Sequence, residues 1–361
     1  MKFFIDPSYP YYSQNRTFDS SLPYNRDDRL LPSIRLKSFL EENGHEIATA
    51  DYLDSNTQEQ VIYYSHGIDT NYRRFALNPN IRMFAFMIYE PPVVAPHLYK
   101  QLPELTRIFE NVFVHNTEGD GYSLKGVDTS KLRKLYYPMT YSGIREPYWS
   151  RQDRKNKIVI INSNHNPYLF APYRKTLALP RRELYGERIK VMAQMGRVAG
   201  GDFVDLYGGR WSDWWSPFSM WWPYWRHRAD LMKVYRGFAP SKFETLSSYD
   251  FCLCFENMRM EGYVTEKMID CFYAGTIPVY LGAPDIEKYI PSQAFVDFGR
   301  FHNSEEAYHY LASLSVGEKQ LMREAGRDFL QSEAFKLFYD ALIRELDIGL
   351  RIQKNVNLGC L

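Results

Sequence analysis

Glu266 and Lys267 follow directly on Thr265, at the start of an amphipathic run that Gly275 ends. The first turn of a helix offers unpaired N–H groups and a partial positive charge. Thr265 has the side chain of an N-cap residue, and Lys267 adds a full positive charge within the same turn. A diphosphate would be stabilised there. Glu266 would be repelled by phosphate, so its chemistry is to accept hydrogen bonds from the hydroxyls of a neighbouring sugar.

The elements that must position these groups are legible on either side. Phe251 to Phe255 is a β-rich apolar run that stops at the polar pair Glu256 and Asn257, and a loop with Gly262 leads into the helix. A second apolar run, Ile277 to Leu281, closes at Gly282. Strand, loop, helix and strand make one βαβ unit of a parallel sheet, and ligands of such units lie beyond the carboxyl ends of the strands.

The whole stretch from Tyr249 to Gly282 resembles the donor-binding region of the family 10 glycosyltransferases, the α1,3/4-fucosyltransferases. Their pattern is an F-E-N strand end, then Y-[VI]-T-E-K, a short helix and a P-V-Y-x-G strand. Here it stands as Phe255-Glu256-Asn257, Tyr263-Val264-Thr265-Glu266-Lys267 and Pro278-Val279-Tyr280-Leu281-Gly282. A lone T-E-K would mean little, whereas the composite in order and at matching spacing is specific. The rival is an unrelated Rossmann-like unit with a solvated Glu-Lys pair. The resemblance covers roughly residues 80–300 and is dense from 234 onward.

It implies an α/β, GT-B-like fold of two Rossmann-like domains facing across a cleft, with a C-terminal helix crossing back. We place an acceptor-side domain at 1–153 and a GDP-sugar domain at 154–330 with an aromatic insertion at 211–228. A helical tail at 331–361 follows, its apolar stripe formed by Phe335, Phe338, Leu342 and Leu346.

In the first half, Lys2 to Asp6, Gln60 to Tyr64, Val112 to Val114 and Lys134 to Pro138 read as strands. A helix follows Pro32, with Leu36, Phe39 and Leu40 as its stripe and Gly44 as its stop. Arg82 to Tyr89 is a further strand, ending in Glu90-Pro91-Pro92. A carboxylate there faces the ligand crevice, and the prolines fix the backbone leaving it. Its position resembles that of the family's N-domain glutamate, the catalytic base; the alternative is a solvated loop glutamate. His115, at another strand end, reads as hydrogen-bonded structure rather than as a ligand contact.

Charge-rich Arg151 to Lys157 reads as an interdomain linker or exposed turn. Ile158 to Ile161 is then a buried strand ending in Asn162-Ser163-Asn164. The family places a phosphate-binding arginine at the start of the next helix, and Arg188 holds that position, with Ile189, Met192 and Ala193 continuing at helical spacing. The segment before it is longer than in the simplest family members and offers Arg174, Arg181 and Arg182 as rivals. Residues 201–211, GDFVDLYGGRW, resemble the family's D-L-Y-G-x-G-W turn.

The resemblance therefore implies an inverting transfer of L-fucose from GDP-β-L-fucose to a glycan hydroxyl, α1,3 to N-acetylglucosamine in a lactosamine-type or surface polysaccharide. Glu90 is the base, Arg188 and Lys267 neutralise the diphosphate, and Asn257, Tyr263 and Glu266 position the donor. The chain has no Asp-x-Asp, so we expect no metal ligand set and no required cofactor beyond the GDP-fucose donor, a divalent ion being at most stimulatory. A transferase for a different nucleotide sugar and a non-catalytic nucleotide-sugar-binding module remain as alternatives.

Composition narrows the field. A net charge of +1 over 361 residues gives no bulk electrostatic case for nucleic acid. Cys252 and Cys254 alternate along a strand and share one face, which suits buried thiols better than a disulfide or zinc site. No signal peptide or spanning apolar run is visible; since animal members of the resembled family carry a membrane anchor and luminal disulfides, the resemblance implies a cytoplasmic enzyme of bacterial type. Six of the seven tryptophans cluster from Trp211 to Trp225, with Arg226, His227 and Arg228 behind them. Packing within their own domain, peripheral docking on the inner face of a membrane and stacking on acceptor sugars all fit that stretch.

Overall fold

The structure is a computed structural model that describes residues 1–23, 25–166, 182–198, 202–213 and 222–346. The chain forms two compact units, one of Met1–Thr140 with the chain from Lys336 onward, the other of Tyr141–Phe335. Each is a parallel α/β sheet, the GT-B-like pairing that the resemblance implies.

The first unit contains β1 (Lys2–Asp6), α1 (Leu31–Glu42), β2 (Glu46–Thr49), β3 (Val61–Ser65), α2 (Tyr72–Phe75), β4 (Ile81–Met87), α3 (Pro96–Ile108), β5 (Asn111–Val114) and β6 (Leu132–Lys134). Its six strands run in the order β2-β1-β3-β4-β5-β6. Strands β3 and β5 are buried along their whole length, as expected of a sheet covered on both faces. Pro32 lies in the first turn of α1, and Leu36 and Leu40, one turn apart, are fully buried against Phe3, Ile5 and Ile62. The expected strand at 134–138 is displaced: β6 ends at Lys134, because pairing with β5 begins at Leu132.

The expected return of the tail is present. Leu342 and Leu346 enter the core built by β1, β3 and α1, and they carry an acid with them. Glu345 is 5% exposed; its Oε2 accepts a hydrogen bond from the Tyr64 hydroxyl at 3.3 Å, and its Oε1 has no hydrogen-bond partner. Burial raises its pKa well above the carboxylate range, outweighing the Tyr64 bond. The folded chain thus retains a proton that the unfolded chain releases above about pH 4.3. The stability this contributes is complete below that pH and declines as pH rises. Glu345→Gln is expected to melt with the wild type near pH 4 and to be more stable by about 1–3 kcal/mol near pH 8. Thermal unfolding across that range checks it; a gap that stays constant with pH would refute the assignment.

The second unit contains α4 (Glu146–Trp149), β7 (Lys155–Ile161), α5 (Tyr185–Val198), β8 (Val204–Tyr207), α6 (Trp222–Val234), α7 (Lys242–Ser247), β9 (Tyr249–Phe255), α8 (Glu266–Ala274), β10 (Ile277–Leu281), β11 (Val296–Asp297), α9 (Ser304–Ser313) and α10 (Val316–Leu330), before α11 (Glu333–Tyr339) leads to the tail. The strand order is β11-β10-β9-β7-β8. The order reverses between β7 and β9, which makes the crevice at their carboxyl ends the switch point where such sheets bind ligands. All seven residues of β9, the middle strand, are buried.

The linker expected at 151–157 is not one. Lys155 to Lys157 already belong to β7, and the half-buried Arg154 donates to the carbonyls of Arg151, Tyr148, Trp149, Ser247 and Ala274 at 2.8–3.1 Å. One guanidinium thereby satisfies the orphan carbonyls at the ends of α4, α7 and α8. That network holds 141–154 in the second unit, ahead of the boundary at 153–154 read from the sequence.

Candidate functional site

Arg188 lies in the first turn of α5, directly after the switch point. It is 5% exposed, and its Nη2 donates to the carbonyls of Phe255 at 2.7 Å and Glu256 at 3.0 Å, and to Asn257 Oδ1 at 3.4 Å. Burial lowers its pKa, against the pull of Tyr185 and Glu256. The end of β9 is thus clamped by a cation delivered from the helix that follows β7.

Glu256 is the centre of the arrangement. It is 0% exposed. Its Oε1 accepts the Thr265 N–H at 2.9 Å, and the Thr265 hydroxyl lies 2.9 and 3.0 Å from its two oxygens. Lys267 Nζ donates to Glu256 Oε2 at 2.8 Å and to Thr265 Oγ1 at 2.9 Å. Burial pulls the Lys267 pKa down, but the carboxylates of Glu256 and Glu266 outweigh it and the net shift is upward. Burial likewise pushes Glu266 up, and Lys267 with Lys242 brings it below its ordinary value. Both side chains therefore keep their charges.

Thr265 departs from the expected capping role. It occupies the N-cap position in extended backbone but makes no side-chain cap bond; its N–H and hydroxyl serve Glu256 instead. Room for this comes from Gly282, where a Cβ would lie 2.3 Å from the Tyr280 hydroxyl and 2.6 Å from Glu256 Cγ. Asn257 Nδ2 donates to the Tyr263 hydroxyl at 3.4 Å, and Tyr263 is 1% exposed. Arg188, Asn257, Tyr263 and Lys267, all singled out in the sequence, thus meet around Glu256, and Glu266 opens the helix beside them.

Sequence reasoning missed two residues. Glu256 was read only as a motif letter, although a carboxylate closing an apolar strand eleven residues before a lysine is a signal for a buried pair. Arg210, in the turn after β8, stands where the D-L-Y-G-x-G-W pattern has glycine, a departure that gains meaning from its left-handed backbone, φ 64°.

Cys252 and Cys254 are buried thiols, as read, and Cys271 of α8 is a third, its Sγ within 4.8 Å of theirs. Cys254 and Cys271 lie 3.4 Å from the Lys267 carbonyl, where they pack the far side of the helix start. Cys360, Arg174, Arg181, Trp214, Trp215 and Trp221 lie outside the described residues. Arg182 is partly exposed, and its carbonyl accepts the Arg259 N–H at 2.8 Å. Trp211 is buried and donates to the Asn162 carbonyl at 2.7 Å, which fits domain packing. Trp222 and Trp225 are exposed, the state that docking or stacking requires.

In the first unit Glu90 is exposed, three residues beyond the end of β4, and the Tyr99 hydroxyl donates to its carbonyl at 3.1 Å. His115 is fully buried, with Nε2 2.8 Å from the Tyr89 carbonyl and its own carbonyl taking Lys134 Nζ at 2.8 Å, a structural histidine. Among the described residues no helix is long and apolar enough to cross a membrane.

Residues 229–324 match the family model for glycosyltransferase family 10 (fucosyltransferase), C-terminal part. The matched stretch lies wholly within the second unit. Over 74 residues the chain is 46% identical to α-(1,3)-fucosyltransferase FucT of Helicobacter pylori, covering 20% of this chain and 16% of the relative. GDP-fucose protein O-fucosyltransferase 3 of Xenopus tropicalis is 38% identical over 79 residues, 22% of this chain and 17% of the relative. The matched stretch thus spans about one sixth of these curated relatives.

Fold similarity extends further. A glycosyltransferase from Rickettsia africae superposes with a TM-score of 0.54 at 12% identity, covering 98% of both chains. An α1,3-fucosyltransferase gives 0.51 at 15% identity, covering 97% of this chain and 90% of the other. These likenesses show the fold over nearly the whole chain.

Proposed function

We propose that this chain is an inverting fucosyltransferase that moves L-fucose from GDP-β-L-fucose to a hydroxyl of a glycan acceptor. The observation that carries the reading is the buried charge arrangement at the β7/β9 switch point, where Arg188 clamps the end of β9 and Glu256 holds Lys267. Glu256 and Lys267 lie in the stretch that matches family 10, and the arrangement sits where an α/β sheet takes a nucleotide.

The acceptor oxygen attacks the anomeric carbon from the face opposite the diphosphate. The bond from that carbon to the diphosphate breaks, GDP leaves with the electron pair, and β becomes α. Arg188 and Lys267 stabilise the charge that develops on the leaving group. Asn257, Tyr263 and Glu266 orient the donor, and Glu90 takes the acceptor's proton. The names of the relatives divide between glycan and protein acceptors. We take the 3-hydroxyl of N-acetylglucosamine in a lactosamine-type or surface polysaccharide, because the 46% identical stretch is shared with an α-(1,3)-fucosyltransferase.

The test is a donor panel. Purified protein incubated without acceptor is expected to release GDP slowly from GDP-fucose and faster than from GDP-mannose, UDP-glucose or UDP-galactose. Preferential hydrolysis of another sugar nucleotide would replace fucose in the reading, and binding without release from any would make the chain a non-catalytic module.

A further inference from the structure

We propose that Arg210 is a ligand of the donor diphosphate, an assignment that rests on the donor reading above. The backbone is the first sign. At φ 64° Arg210 is left-handed, a conformation that residues with a Cβ seldom adopt and that persists where surrounding structure enforces it. In the D-L-Y-G-x-G-W pattern that residues 205–211 resemble, this place belongs to a glycine. Here a long cationic side chain takes it at a cost that glycine would not incur.

Contacts at the backbone hold the turn. The Asn164 N–H donates to the Gly209 carbonyl at 3.0 Å, and Asn164 Nδ2 to the Arg210 carbonyl at 3.3 Å. Gly208, at φ 139°, approaches so closely that a Cβ there would lie 1.9 Å from the Asn162 carbonyl oxygen. These contacts favour the left-handed state at position 210.

The location supplies the function. β8 pairs with β7 up to Tyr207 and Ile161, so the turn lies at the carboxyl edge beside the switch point, with the Arg210 side chain exposed. Asn164, 1% exposed, follows β7 and packs on that turn, and its buried Oδ1 has no hydrogen-bond partner, an acceptor suited to a hydroxyl of the bound nucleotide. His165 beside it is held below its ordinary pKa by burial and then by the charges of Arg210 and Arg188. An exposed guanidinium at the edge of a nucleotide switch point suits the non-bridging oxygens of a diphosphate, which it grips bidentately.

Glycine and asparagine both accept left-handed backbone, so Arg210→Gly and Arg210→Asn remove the charge without breaking the turn. Titration calorimetry with GDP, GMP and guanosine is expected to show GDP binding about 10–100-fold weaker in both variants. GMP should lose less and guanosine nothing. The melting temperature of Arg210→Gly should rise by about 2 °C as the strain is relieved. Unchanged GDP affinity overturns the inference while leaving the donor reading intact. So does an equal loss for GDP, GMP and guanosine with a lower melting temperature, which marks Arg210 as a structural part of the turn. A wild-type chain that fails to bind GDP overturns the donor reading and this inference together.

Discussion

Replacing Glu90 by glutamine is expected to lower transfer by about two or more orders of magnitude while leaving the GDP dissociation constant unchanged. The carboxamide preserves size and can still accept a hydrogen bond, but it cannot take a proton from the acceptor hydroxyl. The residue is exposed, beyond the end of β4, so the substitution disturbs no core and its effect can be read as chemistry. The phosphate-binding residues proposed here all belong to the other unit, which is why nucleotide affinity should survive. Steady-state transfer and GDP calorimetry on the same preparation check both halves. Normal turnover would remove Glu90 from the mechanism, and a matching loss of GDP affinity would mean the two units are not independent in the way the argument requires.

Glu256→Ala should have the largest effect on stability. The carboxylate is fully buried and holds the Thr265 N–H, the Thr265 hydroxyl and Lys267. Deleting it leaves an ammonium and a buried amide without their acceptor. Losing one partner of a buried ion pair costs about 3–5 kcal/mol; because the Lys267 side chain is still 26% exposed, the lower end, about 3 kcal/mol, is expected. Thermal unfolding should show this, with weakened GDP binding in the protein that stays folded. Adding Lys267→Met should recover much of the stability by removing the stranded charge, without restoring GDP affinity. If the single variant melts like the wild type, Glu256 does not organise the start of α8.

How far the sequence reaches can be judged from these residues. The β9–α8–β10 unit was legible because its strands are buried throughout and, Asp250 apart, carry no charge, while its helix is bounded by residues with strong positional meaning, Thr265 and Gly275. The burial of the tail was legible for a similar reason: Phe335, Phe338, Leu342 and Leu346 recur at helical spacing and all four are buried, although α11 ends at Tyr339 and the last two lie beyond it. Arg154 was misread because charge in a sequence looks the same whether it faces water or three helix ends. The partners of Thr265 were misread because a hydroxyl can serve its own helix or a carboxylate from another strand, and only the closeness permitted by Gly282 decides between them. β6 was misplaced because it is short, at the sheet edge and half polar, so hydrophobicity does not mark its limits.

The return of the chain after Lys336 has a consequence for biosynthesis. Leu342 and Leu346 complete a core whose other members lie between Phe3 and Leu135, so β1, β3 and α1 cannot reach their final packing until Leu346 has left the ribosome. The middle of the chain, contiguous from Tyr141 to Phe335, carries no such dependence and can mature earlier. Vectorial synthesis would then run against the usual amino-to-carboxyl sequence of domain folding, leaving nascent β1, β3 and α1 with apolar surface to shelter until Leu346 emerges.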